Sequence, residues 1–311
     1  MTRPTSLFAV IAAGTLLLSG CTGTGAAETG STSAGTVTVS TLKGEVEVPA
    51  NVENVVALTS PAADVSAELG LTPVAVEESS TGLQPWQQDS LAAVADPALG
   101  DDEGALDIEK IASYEPDVIF AGPWQVADDS VHRQLSEIAP VVVPDSEAVN
   151  PDWDDTLTTV GQALGKSDDA ERILTETQES LAAVGEETGA EGRTYQLVSP
   201  RPDGIYFGNA APLELFGLEP GRHQTPEEVN RFALSAENLD ELDADHLFIW
   251  AMDEESRKSL EDNPTFDSLP AVQSGRAQFI DTDVATAINA ASPASLRWLV
   301  DEGGFRDVLA K

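Results

Sequence analysis

The chain has 311 residues and sets 54 acidic against 16 basic side chains, a formal charge of −38. So acidic a surface favours solubility and argues against nucleic acid or anionic lipid headgroups as partners. A single cysteine leaves no internal disulfide, and three histidines, His132, His223 and His246, none at helical pairing distance from another, argue against a histidine metal site.

The amino terminus reads as an export signal. Arg3 supplies the positive n-region and residues 7–18 the apolar h-region, which is too short to span a bilayer. Leu18-Ser19-Gly20-Cys21 follows, an aliphatic residue and two small ones before a cysteine, which is the lipobox pattern. Small side chains suit the peptidase that cuts there, and the free thiol takes a diacylglyceryl thioether. Residues 1–20 are therefore the expected signal peptide, and Cys21 the lipidated first residue that holds the protein to the outer face of the cell membrane. Residues 21–38 are rich in Gly, Ser, Thr and Ala, too polar to pack, and read as a flexible tether.

Short runs rich in valine and isoleucine then recur at Val55-Val56-Ala57-Leu58, Val74-Ala75-Val76, Val118-Ile119-Phe120-Ala121 and Val141-Val142-Val143. Their continuous apolarity predicts buried parallel strands. Between the first two, residues 62–70 carry helical spacing and end on Gly70, which makes a βαβ unit. Residues 153–164 and 167–187 read as helices. The second has Ala170, Ile173, Leu174, Thr177, Leu181 and Val184 at three- and four-residue steps, with Ser167 as its N-cap and Asp168 and Asp169 in its first turn. About twenty helical residues reach roughly 30 Å, enough to act as a stiff spine. A second strand series follows at Tyr195-Gln196-Leu197-Val198, residues 246–250 and residues 277–280. The expected architecture is α/β, with two Rossmann-like lobes at residues 39–150 and 191–311, a helical linker at 151–190, and a ligand cleft between the lobes.

Enzyme signatures are poor. Ser40-Thr41-Leu42-Lys43 fits S-x-x-K without its companion motifs, and residues 161–167 imitate a phosphate loop one residue short and after a helix. No nucleophile elbow, zinc helix or dinucleotide fingerprint is present, so no catalytic residue is assigned. Asp101-Asp102 and Asp281-Thr282-Asp283 lack the rest of a calcium loop and read as surface acids.

Open α/β sheets take ligands at the carboxyl ends of their strands. Thr59 and Ser60 sit there after the first strand, Trp124 and Gln125 after the third, and Trp250 at the end of a strand in the second half. Tyr206 and Phe207, in a loop after Arg201, and Trp86, in a loop bearing Pro and Gln, join them as cleft candidates. Arg201 is one of few cations, and its guanidinium suits carboxylate, catecholate or hydroxamate oxygens.

The mature chain resembles the substrate-binding proteins of iron-siderophore, haem and cobalamin ABC importers, whose two lobes are joined by one long helix. Residues 44–58, GEVEVPANVENVVAL, are similar to that family's opening segment, and Leu69-Gly70-Leu71-Thr72-Pro73-Val74-Ala75-Val76 to its next. Residues 106–120, LDIEKIASYEPDVIF, resemble the family's n-x-E-x-i-x-x-l-x-P-D-l-i, with a counterpart at residues 234–249. The resemblance implies that Glu109 and Glu237, one per lobe, dock on arginines of a dimeric permease. It also implies that Asn289 and Ser292 face the ligand, in a closing segment where Trp298 is core. The implied function is capture of a ferric siderophore by a monomer that uses no cofactor, iron arriving only with its chelator. Haem or cobalamin as cargo, and an anchored enzyme or adhesion module, remain the alternatives.

Overall fold

The computed structural model describes residues 35–78, 82–100, 105–225 and 233–311. The export signal, Cys21, the tether up to residue 34 and the pair Asp101 and Asp102 lie outside the described residues.

The described chain opens with a hairpin, β1 (Thr36–Thr41) and β2 (Gly44–Pro49), antiparallel with Thr41 opposite Gly44. Residues 36–38, read as the end of the tether, are strand instead, because Val39 and Val48 bury their side chains on one face of the hairpin and carry the flanking threonines with them. Five parallel strands follow: β3 (Val55–Ala57), β4 (Ala75–Glu77), β5 (Ala95–Asp96), β6 (Val118–Phe120) and β7 (Val141–Val142), in the spatial order β5-β4-β3-β6-β7. Successive side chains of a strand point to opposite faces, and here both faces are covered. Val55, Val118 and Phe120 enter one core, and Val56 and Ile119 another. That is why these segments are apolar without alternation.

The second lobe has β8 (Thr194–Arg201), β9 (Gly204–Phe207), β10 (Glu219–Pro220), β11 (Ala233–Leu234), β12 (His246–Ile249) and β13 (Ala277–Phe279). Their order is β11-β9-β8-β12-β13, with β10 beside the start of β8. β8, β12 and β13 are parallel, whereas β9 turns back antiparallel on β8 with Arg201 opposite Gly204. Tyr206 and Phe207 are therefore strand residues rather than loop residues. The turn at Pro202 and Asp203 reverses the chain at once, and alternation then sends Phe207 into the core of the second lobe while Tyr206 stays half-exposed.

Between the sheets run the helices Trp153–Ala163 and Ser167–Thr188, the latter 22 residues and roughly 33 Å long. Its N-cap is Lys166 and its first helical residue Ser167, one position from the capping role expected of that serine; its C-cap is Gly189 in the left-handed region. The long helix packs on Trp153–Ala163 and on the turn Ala211–Phe216 of the second lobe. At Gly185 a Cβ would collide with the backbone carbonyl of Phe216, so the missing side chain sets how closely the helix meets that lobe. One core then runs without a break from Val55 and Phe120 through Leu157, Ile173 and Leu181 to Phe216, Phe248 and Leu296. Both lobes share it.

Candidate ligand-binding cleft

In the first lobe the chain winds outward from β3 to β5, then returns to place β6 on the other side of β3. The loops after β3 and β6 therefore diverge, which opens a crevice at their carboxyl ends. A cavity of about 520 Å³ lies there, a volume ordinary for a small-molecule site. Thr59 and Ser60 line it from the loop after β3, at the start of the helix Ser60–Glu68, and Trp124 lines it from the loop after β6. Trp124 is 44% exposed, unusual for so large an apolar ring in a folded chain. The helix Trp153–Ala163 adds Thr156 and Thr159, and the second lobe adds Thr286, of the helix Thr282–Asn289, and Ala290. The cavity is thus shared between lobes.

Gln125 sits behind this wall rather than on it. It is buried, its Oε1 accepts the Gly122 N–H at 2.9 Å, and its Nε2 donates to the Leu58 carbonyl at 2.8 Å and to Glu77 Oε2 at 2.9 Å. The amide braces three strand ends against one another, so ligand contact is replaced by positioning. Glu77 ends β4 and lines the cavity with Glu78. Burial pushes the Glu77 carboxyl above its ordinary range, with the Gln125 hydrogen bond acting in the opposite direction. Sequence reading passed over both glutamates, although the carboxyl-end rule that selects Thr59 after β3 selects them after β4.

A smaller recess of about 30 Å³ in the second lobe brings together Arg201, Trp250 and Asn289, with Ser199 and Leu197 beside them. The helix Thr282–Asn289 joins it to the main cavity, offering Thr286 to one and Ala285 and Asn289 to the other. Arg201, Trp250 and Asn289 are each engaged by a neighbour outside the lining of the recess. The Arg201 guanidinium lies 4.6 Å from the centre of the Tyr206 ring, whose hydroxyl donates to Asp203 at 2.7 Å. Trp250 Nε1 donates to Thr282 Oγ1 at 3.4 Å, and Asn289 Oδ1 accepts the Asn209 N–H at 2.8 Å. Arg201 does not line the 520 Å³ cavity, and neither do Tyr206, Trp250 and Asn289.

Trp86 and Ser292, two further cleft candidates, belong to the opposite side of the lobe junction. Asp64, 5% exposed, accepts hydrogen bonds from Trp86 Nε1 at 2.8 Å, Gln87 Nε2 at 2.6 Å and Ser292 Oγ at 2.6 Å. Ser292 is fully buried and caps the helix Pro293–Asp301, accepting the Ser295 N–H at 3.1 Å, so its hydroxyl is spent on protein in both directions. The Trp86 ring packs 5.3 Å from that of Trp298, and Arg297 pairs with Glu68 at 2.8 Å. A sequence cannot display this seam, because residues 64 and 292 meet only in the folded chain. Burial raises the Asp64 pKa from its ordinary 3.8 to about 6, partly offset by hydrogen bonds from Ser292, Gln87 and Trp86.

Glu109 and Glu237 are both exposed, each in the first turn of a short helix, Ile108–Ala112 and Ala236–Glu241. Asp107 and Ser235 cap those turns by accepting the N–H groups of Lys110 and Glu237. His246 is buried and stacked on Phe248, which drives its pKa down to about 4 by burial and by the nearby Arg193 and Arg276 charges. Among the described residues no group of three or more His, Cys, Asp or Glu is placed to hold a metal ion, and no helix is long and apolar enough to cross a membrane.

Two α/β lobes on one long helix, with a cavity at the strand ends between them, define a binding-protein architecture. The sequence profile of the periplasmic binding protein family matches residues 55–284, and the chain belongs to that family. It is 26% identical over 278 residues to the probable siderophore-binding lipoprotein YfiY of Bacillus subtilis (strain 168), covering 82% of each chain. It is 25% identical over 251 residues to the Fe(3+)-citrate-binding protein YfmC of the same organism, covering 78% of each. Among solved structures, Streptococcus pneumoniae TIGR4 PiaA in complex with ferrichrome superposes with a TM-score of 0.74 at 21% identity, over 88% of this chain and 97% of that one. Staphylococcus aureus SirA complexed with staphyloferrin B gives a TM-score of 0.72 at 23% identity, over 86% and 97%. At those identities the two structures share the two-lobed fold.

Proposed function

We propose that this protein is the substrate-binding lipoprotein of an ABC importer, which captures a ferric siderophore in the inter-lobe cleft and passes it unchanged to a membrane permease. The observation that carries the reading is the 520 Å³ cavity at the strand ends, walled by Thr59, Ser60 and Trp124 of one lobe and Thr286 of the other. The relatives named as siderophore-binding and Fe(3+)-citrate-binding proteins give the cargo its class. Iron enters as part of the cargo, held by its chelator. Cys21 carries the lipid that keeps the monomer at the outer face of the membrane. Glu109 and Glu237 present one exposed carboxylate on each lobe, the chemistry that matches paired arginines on a two-fold permease.

Tryptophan fluorescence tests the reading. Titration with ferric hydroxamate, catecholate and carboxylate siderophores, haem and cobalamin is expected to give saturable quenching by a siderophore, strongly reduced in Trp124→Phe. Saturation by haem or cobalamin instead would move the cargo elsewhere in the family, and no response across the panel would overturn the receptor reading. For docking, the pair Glu109→Ala with Glu237→Ala is expected to stop uptake by cells while binding persists; undiminished uptake would remove that role.

A further inference from the structure

The cleft is charged unevenly. Among the described residues no lysine, arginine or histidine lines the 520 Å³ cavity, whereas Glu77 and Glu78 both do. The Glu77 carboxylate is also held in place. Gln125 Nε2 donates to its Oε2 at 2.9 Å, and its Oε1 packs against Gly100, 2.5 Å from where a Cβ there would sit. Gln125 in turn is pinned by Gly122 and Leu58, which ties the acid to the same strand ends that carry Thr59 and Trp124. Among the described residues Gln125 is the side chain that donates to this carboxylate, and an ionised carboxylate accepts several donors. Arg201 lines the separate recess and stacks on Tyr206.

Charges farther away count for less. Beyond about 8 Å, physiological salt screens the acidic surface of the molecule, and groups inside a partly desolvated cavity dominate what a cargo feels. A triply anionic ferric tris-catecholate or a ferric polycarboxylate would bring its charge against two glutamates with no guanidinium or ammonium beside it in the cavity.

Resting on the receptor reading above, we infer that the Glu77 and Glu78 wall makes this a receptor for neutral or cationic ferric chelates, the trihydroxamate class, and that Glu77 reads an ammonium, amide N–H or hydroxyl on the periphery of the cargo. Trp124 would cover the apolar linkers of such a chelate, and the threonines would meet its carbonyl oxygens.

The test is a fluorescence titration of the protein with three probes. They are ferrioxamine B, a cationic ferric trihydroxamate; its N-acetylated form, neutral with the same iron coordination; and ferric enterobactin, a triply anionic tris-catecholate. The expected order is ferrioxamine B tightest, the acetylated form weaker by about tenfold, as the loss of one charge-assisted hydrogen bond implies, and the catecholate weakest. Glu77→Gln is expected to bring the first two within about threefold of each other, and Glu78→Gln, a more peripheral change, provides the second variant should the first fold poorly. Equal or tighter binding of the catecholate would overturn the charge selection and leave the receptor reading standing. Binding of neither hydroxamate nor catecholate, while haem or cobalamin saturates the protein, would overturn the charge selection and move the cargo elsewhere in the family; no response to any of these ligands would overturn the receptor reading as well.

Discussion

The helix Ser60–Glu68 serves two surfaces that obey different rules. At its amino end Thr59 and Ser60 line a cavity beside an exposed Trp124, with side chains only partly covered. One turn farther on, Asp64 is buried under three donors from both lobes, and at its last residue Glu68 takes an ion pair from Arg297. The cleft keeps unspent polar and aromatic groups for a ligand. The seam spends nearly every group on protein, and a continuous apolar core backs it. Lobes joined this way have a packed side and an open side.

The largest effect is expected where the seam is cut. Asp64→Ala strands the Trp86, Gln87 and Ser292 donors in the interior and should lower stability by about 3 kcal/mol in urea unfolding. Cargo affinity of the folded fraction should stay within about threefold; a variant as stable as its parent would mean the seam contributes little.

The same carboxyl gives the seam a pH signature. Its folded pKa, about 6, lies above its ordinary 3.8. Between those values the folded chain holds a proton that the unfolded chain has released, so the contribution is complete below about pH 4 and is lost as pH rises through 6. Over that window Asp64→Asn, which cannot titrate, should gain on the parent by on the order of 3 kcal/mol. Parallel stability curves for the two proteins between pH 4 and 7 would contradict the assignment.

The cleft should respond in the opposite sense. Trp124→Ala removes an exposed ring, so calorimetry should find stability changed by no more than about 0.5 kcal/mol while cargo affinity falls about tenfold. If melting shifts and affinity does not, Trp124 belongs to packing. Smallest of all, Arg297→Ala should cost at most about 1 kcal/mol, since the guanidinium is largely exposed although Glu68 is not. A larger loss would make the ion pair part of the seam's core.

The strands that carry the cleft were readable because burial on both faces of a parallel sheet demands uninterrupted apolar runs, as at Val55-Val56-Ala57 and Val118-Ile119-Phe120. The hairpin of β9 against β8 was hidden. Its short strand follows a two-residue turn, and Tyr206 and Phe207 read equally well as loop aromatics. Thr59, Ser60 and Trp124, sought at strand ends, line the cavity there. Gln125 was sought there by the same rule, Trp86 and Phe207 as loop aromatics and Ser292 through the family resemblance; all four are engaged elsewhere, because a polar or aromatic residue near a cleft can turn toward a ligand, a core or a neighbouring loop.

By itself the sequence determined the two α/β halves, the long helix and the lipobox, since each is written in local spacing that one segment can display. Only the tertiary structure decided which wall carries negative charge, that Arg201 stacks on Tyr206 outside the main cavity, and that Asp64 meets Ser292 across 228 residues. Those outcomes depend on which surfaces the packed lobes bring within hydrogen-bonding distance, and hydrogen bonds and desolvation act through space, not along the chain.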